Sequence, residues 1–251
     1  MKTRKLLVSF LLVSLTCFTV AAQVVSPVEP AKIKGHTYAD WSERWWQWAY
    51  SLPTNHNPLF DTADASAGQK DDVWFIGGTF DGHSAMRTAV VHKNTLLFIA
   101  IITGAFDNTD CNGTGQQISD GFTVSDLRGF VQAYIDSAQN VSCTIDGVPV
   151  SGLSDAVNSD YRVQSSSPNG FSYDLAGMNN ILNFDGLTCW SNVHSAPIHV
   201  DANIYHPVAD GIYVMVGPLT PGSHTIQFHA DAMSGGVPFA QDATYNITVT
   251  K

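Results

Sequence analysis

The chain has 251 residues, of which 44% are apolar and 14% charged, and its formal net charge is −10. This composition excludes intrinsic disorder, which requires low hydrophobicity together with a high density of charge. It also excludes nucleic-acid binding through a general basic surface, because phosphate contacts need clustered Lys and Arg. A chain of this length can bury a sizeable core without stabilising crosslinks.

The amino terminus has the pattern of a secretory signal peptide. Basic residues at positions 2, 4 and 5 precede an apolar stretch at 6–20, and small residues lie at 21 and 22. We expect residues 1–22 to be removed after Ala22 and the protein to be periplasmic or extracellular. The apolar stretch is short for a membrane span, so we expect no transmembrane segment.

Two helices are predicted after an extended leader at 23–36. The first, over about 38–52, begins after Thr37, with Asp40 in the capping-box position, and ends before Pro53. Its apolar residues fall on one helical face and are Trp41, Trp45, Trp48 and Leu52. The second helix, over about 124–139, begins after Thr123 and carries an apolar stripe of the same period.

The remaining chain alternates short apolar runs with turn residues, which is typical of strands. Asp146 and Gly147 form the strongest hairpin signal, because both tolerate the positive φ of a type I′ turn. The predicted strands are 73–76, 86–92, 96–102, 141–145, 148–150, 161–165, 171–175, 198–202, 212–216, 225–230 and 244–250, with a loop at 103–121. We predict a mainly β protein: one domain over 37–251, an antiparallel β-sandwich or jelly roll with both helices packed on it.

Several blocks of the chain resemble a family of secreted bacterial proteins with no established activity. The blocks lie at 41–48 (WSERWWQW), 51–53 (SLP), 57–59 (NPL), 73–78 (VWFIGG), 145–150 (IDGVPV) and 218–226 (PLTPGSHTI). The resemblance covers most of the chain after the signal peptide. It implies an exported protein with a single domain, and it transfers no catalytic residue.

Two H-x-D patterns lie on predicted strands of the last quarter, His199 with Asp201 and His229 with Asp231. Residues two apart on a strand share a face, so each pair can point at one centre. Imidazole together with carboxylate suits Zn, Mn or Fe. The four residues are therefore a candidate site for a divalent transition metal. The alternative is that each pair forms only local hydrogen bonds at the surface.

A second candidate metal site lies in the polar segment after the strand at 96–102. Asn108, Asp110 and Asn112 place oxygen-bearing side chains at alternate positions before a glycine, and Asp120 follows near the closing position. This spacing resembles a Ca²⁺ loop. The alternative is an ordinary loop rich in Asn and Asp.

Trp46 lies off the stripe of the first helix, so we expect an exposed aromatic side chain that could stack on a ligand.

Gly82, His83 and Ser84 resemble the start of a nucleophile elbow. Position 86 is Met rather than Gly, and a strand rather than a helix is predicted to follow, so we do not expect a serine nucleophile.

Three cysteines remain after removal of the signal peptide: Cys111, Cys143 and Cys189. In an oxidising compartment they allow one disulfide and one free thiol, and the sequence does not select the pair.

No motif in the chain specifies a reaction. The leading hypothesis is a secreted binding module for a glycan, a peptide or an envelope partner. The alternative is a metal-dependent hydrolase that uses the His and Asp residues of the C-terminal strands, and a third possibility is a calcium-stabilised structural protein. No nucleotide or redox cofactor and no nucleic-acid partner is indicated, and the oligomeric state stays open.

Overall fold

The computed structural model describes residues 22–25, 32–70, 72–111, 117–177, 179–183 and 197–251. Residues 1–21 of the predicted signal peptide, Asn112 and Cys189 lie outside the described residues. Across these ranges, the structure contains no helix with the length and apolar character that a membrane span requires.

The strands in chain order are β1 (Val24–Val25), β2 (Val73–Ile76), β3 (Ala85–His92), β4 (Leu96–Phe106), β5 (Thr109–Cys111), β6 (Gln117–Ser119), β7 (Gln139–Ile145), β8 (Val148–Pro149), β9 (Arg162–Gln164), β10 (Tyr173–Leu175), β11 (Ile198–Val200), β12 (Val208–Val216), β13 (Gly222–Ser234) and β14 (Val237–Thr250). The α-helices are α1 (Tyr38–Ser51), α2 (Val124–Asp136) and α3 (Ala202–Tyr205), and short 3₁₀ helices lie at Thr54–His56, Pro58–Phe60 and Ile181–Asn183.

A central sheet has the order β1-β12-β4-β2, with β9 also paired to β12. Every residue of β12 is buried, and so are eight of the eleven residues of β4. Both strands therefore have neighbours on both faces, which explains why the sequence of β4 is an almost continuous apolar run instead of an alternating one. A second, outer sheet has the order β3-β14-β13-β7-β8. Its strands alternate buried and exposed residues, so one of its faces meets solvent.

The protein has three layers and two main apolar cores. One core lies between the two sheets and includes Ile99, Val214, Phe228 and Tyr245. The other lies on the opposite face of the central sheet, where α1 and the small two-stranded sheet of β10 and β11 cover it. A smaller cluster joins α2 to β12 through Leu127, Val131 and Val208.

The predicted fold class is confirmed: the protein is mainly β, with a sandwich of two sheets and two long packed helices. Both predicted capping boxes are present, Thr37 with Asp40 and Thr123 with Asp126. Asp146 and Gly147 both have positive φ in the β7-β8 turn. The sheets are mixed, because β2 pairs with β4, and β3 with β14, in parallel.

The prediction of a loop over 103–121 was wrong in part. β4 continues to Phe106, and β5 pairs with β6 in a hairpin. Gly104 lies within β4. A Cβ atom there would lie 2.8 Å from Cδ1 of Tyr134, so the glycine allows α2 to approach β4 closely.

Candidate functional site

A cavity of the described chain follows the edge of β4. β2 pairs with β4 only as far as Ile76 opposite Ile99, whereas β4 continues for seven further residues. A cavity of about 620 Å³ touches every residue from Ala100 to Phe106. Because consecutive residues of a strand point to opposite faces, a cavity that touches all of them must run along the strand edge.

The edge is open because the chain leaves the central sheet after β2. Residues 77–84 cross to the outer sheet, where β3 begins. Gln241 of β14 fixes this crossing: its Oε1 accepts from the backbone N–H of Thr79 at 2.9 Å, and its Nε2 donates to the Thr79 carbonyl at 2.6 Å. A Cβ atom on Gly78 would overlap the Gln241 side chain, so this clamp requires glycine at position 78.

A β-bulge lies inside the cavity wall. Ile212 is opposite Ile102, and Tyr213 is opposite Ala100, so Ile101 has no partner on β12. Ile101 and Ile102 both pack into the core between the sheets. Beyond the bulge, Thr103 faces α1, where its Oγ1 accepts from Trp46 Nε1 at 3.0 Å, and Gly104 faces α2.

The walls of the cavity are uncharged and strongly aromatic. None of the residues that line the cavity is Asp, Glu, Lys, Arg or His. The lining residues are Trp45, Trp46, Leu59, Gly78, Thr79, Phe80, Ala100, Ile101, Ile102, Thr103, Gly104, Ala105, Phe106, Phe130, Ala133, Tyr134, Met233, Ser234, Gly235, Phe239 and Gln241. Burial raises the pKa of Tyr134 to about 12, so its phenol is neutral at ordinary pH. Such walls suit an uncharged ligand.

Large apolar side chains are exposed at the mouth of the cavity. Phe106, Phe130 and Met233 line it and are 42%, 43% and 45% exposed. The rings of Phe106 and Phe130 lie 6.2 Å apart, and Phe122 contacts Phe130 edge-on. An apolar patch that continues into a cavity is typical of a ligand or partner site.

A network of ion pairs and hydrogen bonds holds residues 77–84, the segment that crosses from the central sheet to the outer sheet. His83 contacts Asp61 through Nε2 at 2.7 Å and Asp81 through Nδ1. Hydrogen bonds to the carboxylates of Asp61 and Asp81 raise the pKa of His83. Arg87 donates from Nε to Asp61 at 2.7 Å, and its Nη1 donates to the carbonyls of residues 77 and 78 and to Tyr245. The network anchors residues 77–84 to the outer sheet.

The four residues of the predicted transition-metal site lie in different layers. His229 and Asp231 are on the solvent face of β13, with Nε2 and Oδ2 3.4 Å apart. His199 lies on β11, in the two-stranded sheet beside α1, and contacts Asp174 at 2.8 Å, while Asp201 caps α3. The structure does not bring the two pairs together. Within the described ranges, no three His, Cys, Asp or Glu side chains group as metal ligands.

The predicted calcium loop begins with a residue whose side chain is already engaged. Asn108 is buried; its Nδ2 donates to the Phe122 carbonyl at 2.7 Å, and its Oδ1 accepts from the Phe122 N–H at 2.8 Å. This bond pair closes the base of the β5-β6 hairpin, and the Asp120 N–H donates to the Asn108 carbonyl. Asn112 and the side chain of Asp110 lie outside the described part. The calcium site stays a prediction.

Trp46 is buried rather than exposed, with 5% of its surface accessible. The prediction of an exposed side chain was wrong because α1 is covered on more than one side, and Trp46 packs against Tyr50 and Phe80. It nevertheless lines the cavity.

Ser84 lies in the segment before β3, as expected, and its Oγ donates to Asp242 instead of a histidine.

Cys143 is a free, buried thiol on β7. This observation removes the two disulfide pairings that include Cys143. The remaining pairing, Cys111 with Cys189, involves side chains outside the described part.

A smaller cavity of about 390 Å³ lies on the outer side of α1. It is polar and charged, with Arg44, Lys70, Asp174 and His199 among its lining residues. Lys70, Asp174 and His199 are exposed.

Comparisons with known proteins assign no family to the chain. No family model matches it, and no curated protein matches it either. One solved structure with weak similarity is a family 123 glycoside hydrolase from Clostridium perfringens, described in connection with glycolipid glycan hydrolysis. The identity is 10%, over 66% of this chain and 23% of that chain, with a TM-score of 0.16. This likeness carries no argument, and the resemblance to a secreted bacterial family stays a prediction.

Sequence reasoning missed most of the cavity residues, including Phe80, Phe106, Phe130 and Phe239. They come from four separate elements or loops, and no spacing along the chain relates them. One local signal was available: Gly104 interrupts an apolar strand run, and glycine within a strand often marks a close approach of another segment.

Proposed function

We propose that this protein is an exported binding module that takes up an uncharged, elongated ligand along the edge of β4. The observation that carries the proposal is the uncharged aromatic cavity with exposed apolar side chains at its mouth. Its volume of about 620 Å³ falls within the range of cavities that enclose organic ligands. Polar groups at Thr79, Ser234 and Gln241 add hydrogen-bonding partners among the aromatic walls. A glycan and a peptide both match these walls in outline.

The test is a fluorescence titration of the purified chain with an uncharged naphthylamine dye, followed by glycan and capped-peptide arrays. Ala133 lies on α2 at the cavity wall, and it is exposed, so Ala133→Trp fills the cavity without disturbing a core. Gln132→Trp, on the adjacent exposed position outside the cavity, is the matched control.

We expect the dye to bind the natural chain and Gln132→Trp alike, and Ala133→Trp at least about tenfold more weakly. Equal binding by Ala133→Trp, or no binding of the dye and of every array member, overturns the proposal. Array ligands that compete with the dye then identify the ligand class.

A further inference from the structure

The open edge of β4 carries backbone groups that point into the cavity. Ala209 of β12 is opposite Ala105, yet its carbonyl accepts from the Ser165 N–H at 2.8 Å and its N–H donates to Ser165 Oγ at 3.1 Å. Both backbone groups of Ala209 therefore face away from β4. Opposed residues in an antiparallel ladder exchange both hydrogen bonds or neither. Ala105 consequently directs its N–H and C=O away from β12.

The alternation of the ladder extends this orientation to a second residue. Gly104 is opposite Asp210, and Thr103 is opposite Gly211, so Thr103 has the same orientation as Ala105. The two sets of donor and acceptor lie about 6.8 Å apart along the edge, which is the repeat of an extended chain. Over the described ranges, β4 pairs with β12 and β2 alone, and no turn or loop hydrogen bond reaches these backbone groups.

We propose that the ligand of this cavity is an extended, uncharged peptide segment that adds as a strand to the edge of β4; this inference rests on the proposed function. A peptide offers N–H and C=O groups with the same repeat as Thr103 and Ala105, which a glycan does not. Main-chain hydrogen bonds supply affinity in strand addition, and pockets for alternate side chains supply specificity.

The walls supply pockets for alternate side chains on both faces of the added strand. Trp46 and Phe80 lie on the α1 side, and Phe130, Tyr134 and Phe239 lie toward α2 and the outer sheet. The open edge from Ala100 to Phe106 is about 20 Å long, enough for a segment of about six residues. The uncharged lining and the net charge of −10 disfavour acidic segments.

The first test is amide hydrogen exchange measured by NMR. Gly104 donates within the ladder to β12, so its amide is an internal control for the amides of Thr103 and Ala105. We expect the amides of Thr103 and Ala105 to exchange at least about tenfold faster than that of Gly104 in the free chain. Protection of these two amides in the free chain means that another segment already covers the edge, and this overturns the proposal.

The second test uses an array of capped hexapeptides without charged residues, together with twins in which the interior backbone amides are N-methylated. We expect a subset of the peptides to bind and to slow exchange at Thr103 and Ala105, and we expect their N-methylated twins to bind at least about tenfold more weakly. Ala105→Pro removes a donor that β12 does not use and is expected to weaken peptide binding at least about tenfold.

The outcomes separate this inference from the proposed function. If the dye enters the cavity and is blocked by Ala133→Trp, but no peptide binds or the N-methylated twins bind equally, strand addition is wrong and the binding function stands. If neither the dye nor any glycan or peptide of the arrays binds, both proposals fail. Circular dichroism and dye binding show whether Ala105→Pro folds. If this variant does not fold, hydrogen exchange at Thr103 and Ala105 of the natural chain, with and without peptide, decides whether a strand is added.

Discussion

At the scale of single residues, burial and hydrogen bonding decide what each candidate side chain does. Trp46 is a candidate for contact with the ligand because its ring lines the cavity, although its indole N–H donates to Thr103. Asn108 is a structural residue because both polar atoms of its side chain bind Phe122. His83 differs from both, since it is 46% exposed and lies between two carboxylates.

We predict that His83 stabilises the protein in a pH-dependent manner. Its pKa is raised in the folded state, so its contribution is fully present below the unfolded pKa and is lost as the pH rises through the folded pKa. His83→Gln should lower the free energy of unfolding by about 0.5 kcal/mol at about pH 5 and should have no effect at about pH 9, because exposed ion pairs are weak. Urea unfolding at both pH values measures the difference.

Asp61→Asn is the companion variant, because Asp61 makes the largest contribution to the pKa of His83. Its expected effect is a lower His83 pKa in an NMR titration. An unchanged titration curve in this variant would contradict the assigned cause.

At the scale of elements, a buried ion pair joins β9 and α2 to β12. Asp210 on β12 is fully buried, and Arg162 on β9 donates to it from Nη2 at 2.8 Å and from Nε at 3.2 Å. Arg162 also contacts Asp136 of α2 at 2.5 Å, and Gln164 donates to Asp210 at 3.1 Å. The carboxylate thus has three donors, which offset its burial.

We predict that Arg162→Met lowers the free energy of unfolding by about 3 kcal/mol, because it leaves Asp210 buried and charged with a single neutral donor. Adding Asp210→Asn should recover a large part of the loss, since Asn is neutral and can still pair with Gln164. Denaturant unfolding of the single and double variants provides the measurement. A double variant as unstable as the single one would show that packing, not charge, dominates.

At the scale of the whole molecule, the central sheet separates two cores, and its two faces meet different layers. β4 and β12 need apolar residues on both faces, whereas β7, β13 and β14 need them on one. Cys143 of β7 lies in the core between the sheets and is 1% exposed. Burial raises the pKa of its thiol to about 12.

We predict that Cys143 reacts with a maleimide only when the sandwich opens. Reaction requires the thiolate, which both burial and the raised pKa suppress in the native protein. Peptide-resolved mass spectrometry should show its labelling midpoint in urea to coincide with the unfolding midpoint from circular dichroism. Labelling of Cys143 well below that midpoint would indicate that β7 detaches locally from the sheet.

The sequence by itself determined the local elements, because their signals lie within a few residues of each other. The capping boxes at Thr37 and Thr123 determine where α1 and α2 begin, and Asp146-Gly147 determines the turn of the β7-β8 hairpin. The apolar runs locate β2 to the residue and β4 to within four residues of its end. These features predicted a β-sandwich with two helices.

Only the tertiary structure decided where the candidate site lies. The cavity exists because β2 ends at Ile76 while β4 continues, and because residues 77–84 then cross to the outer sheet. The direction of the Ala105 backbone groups follows from its pairing with Ala209, whose own backbone groups bind Ser165. Such features arise from pairing between remote segments, and no local period encodes them. Pairing between remote segments also places His199 on β11 and His229 on β13, which lie in different layers. The H-x-D pattern that they share in the sequence does not indicate this separation.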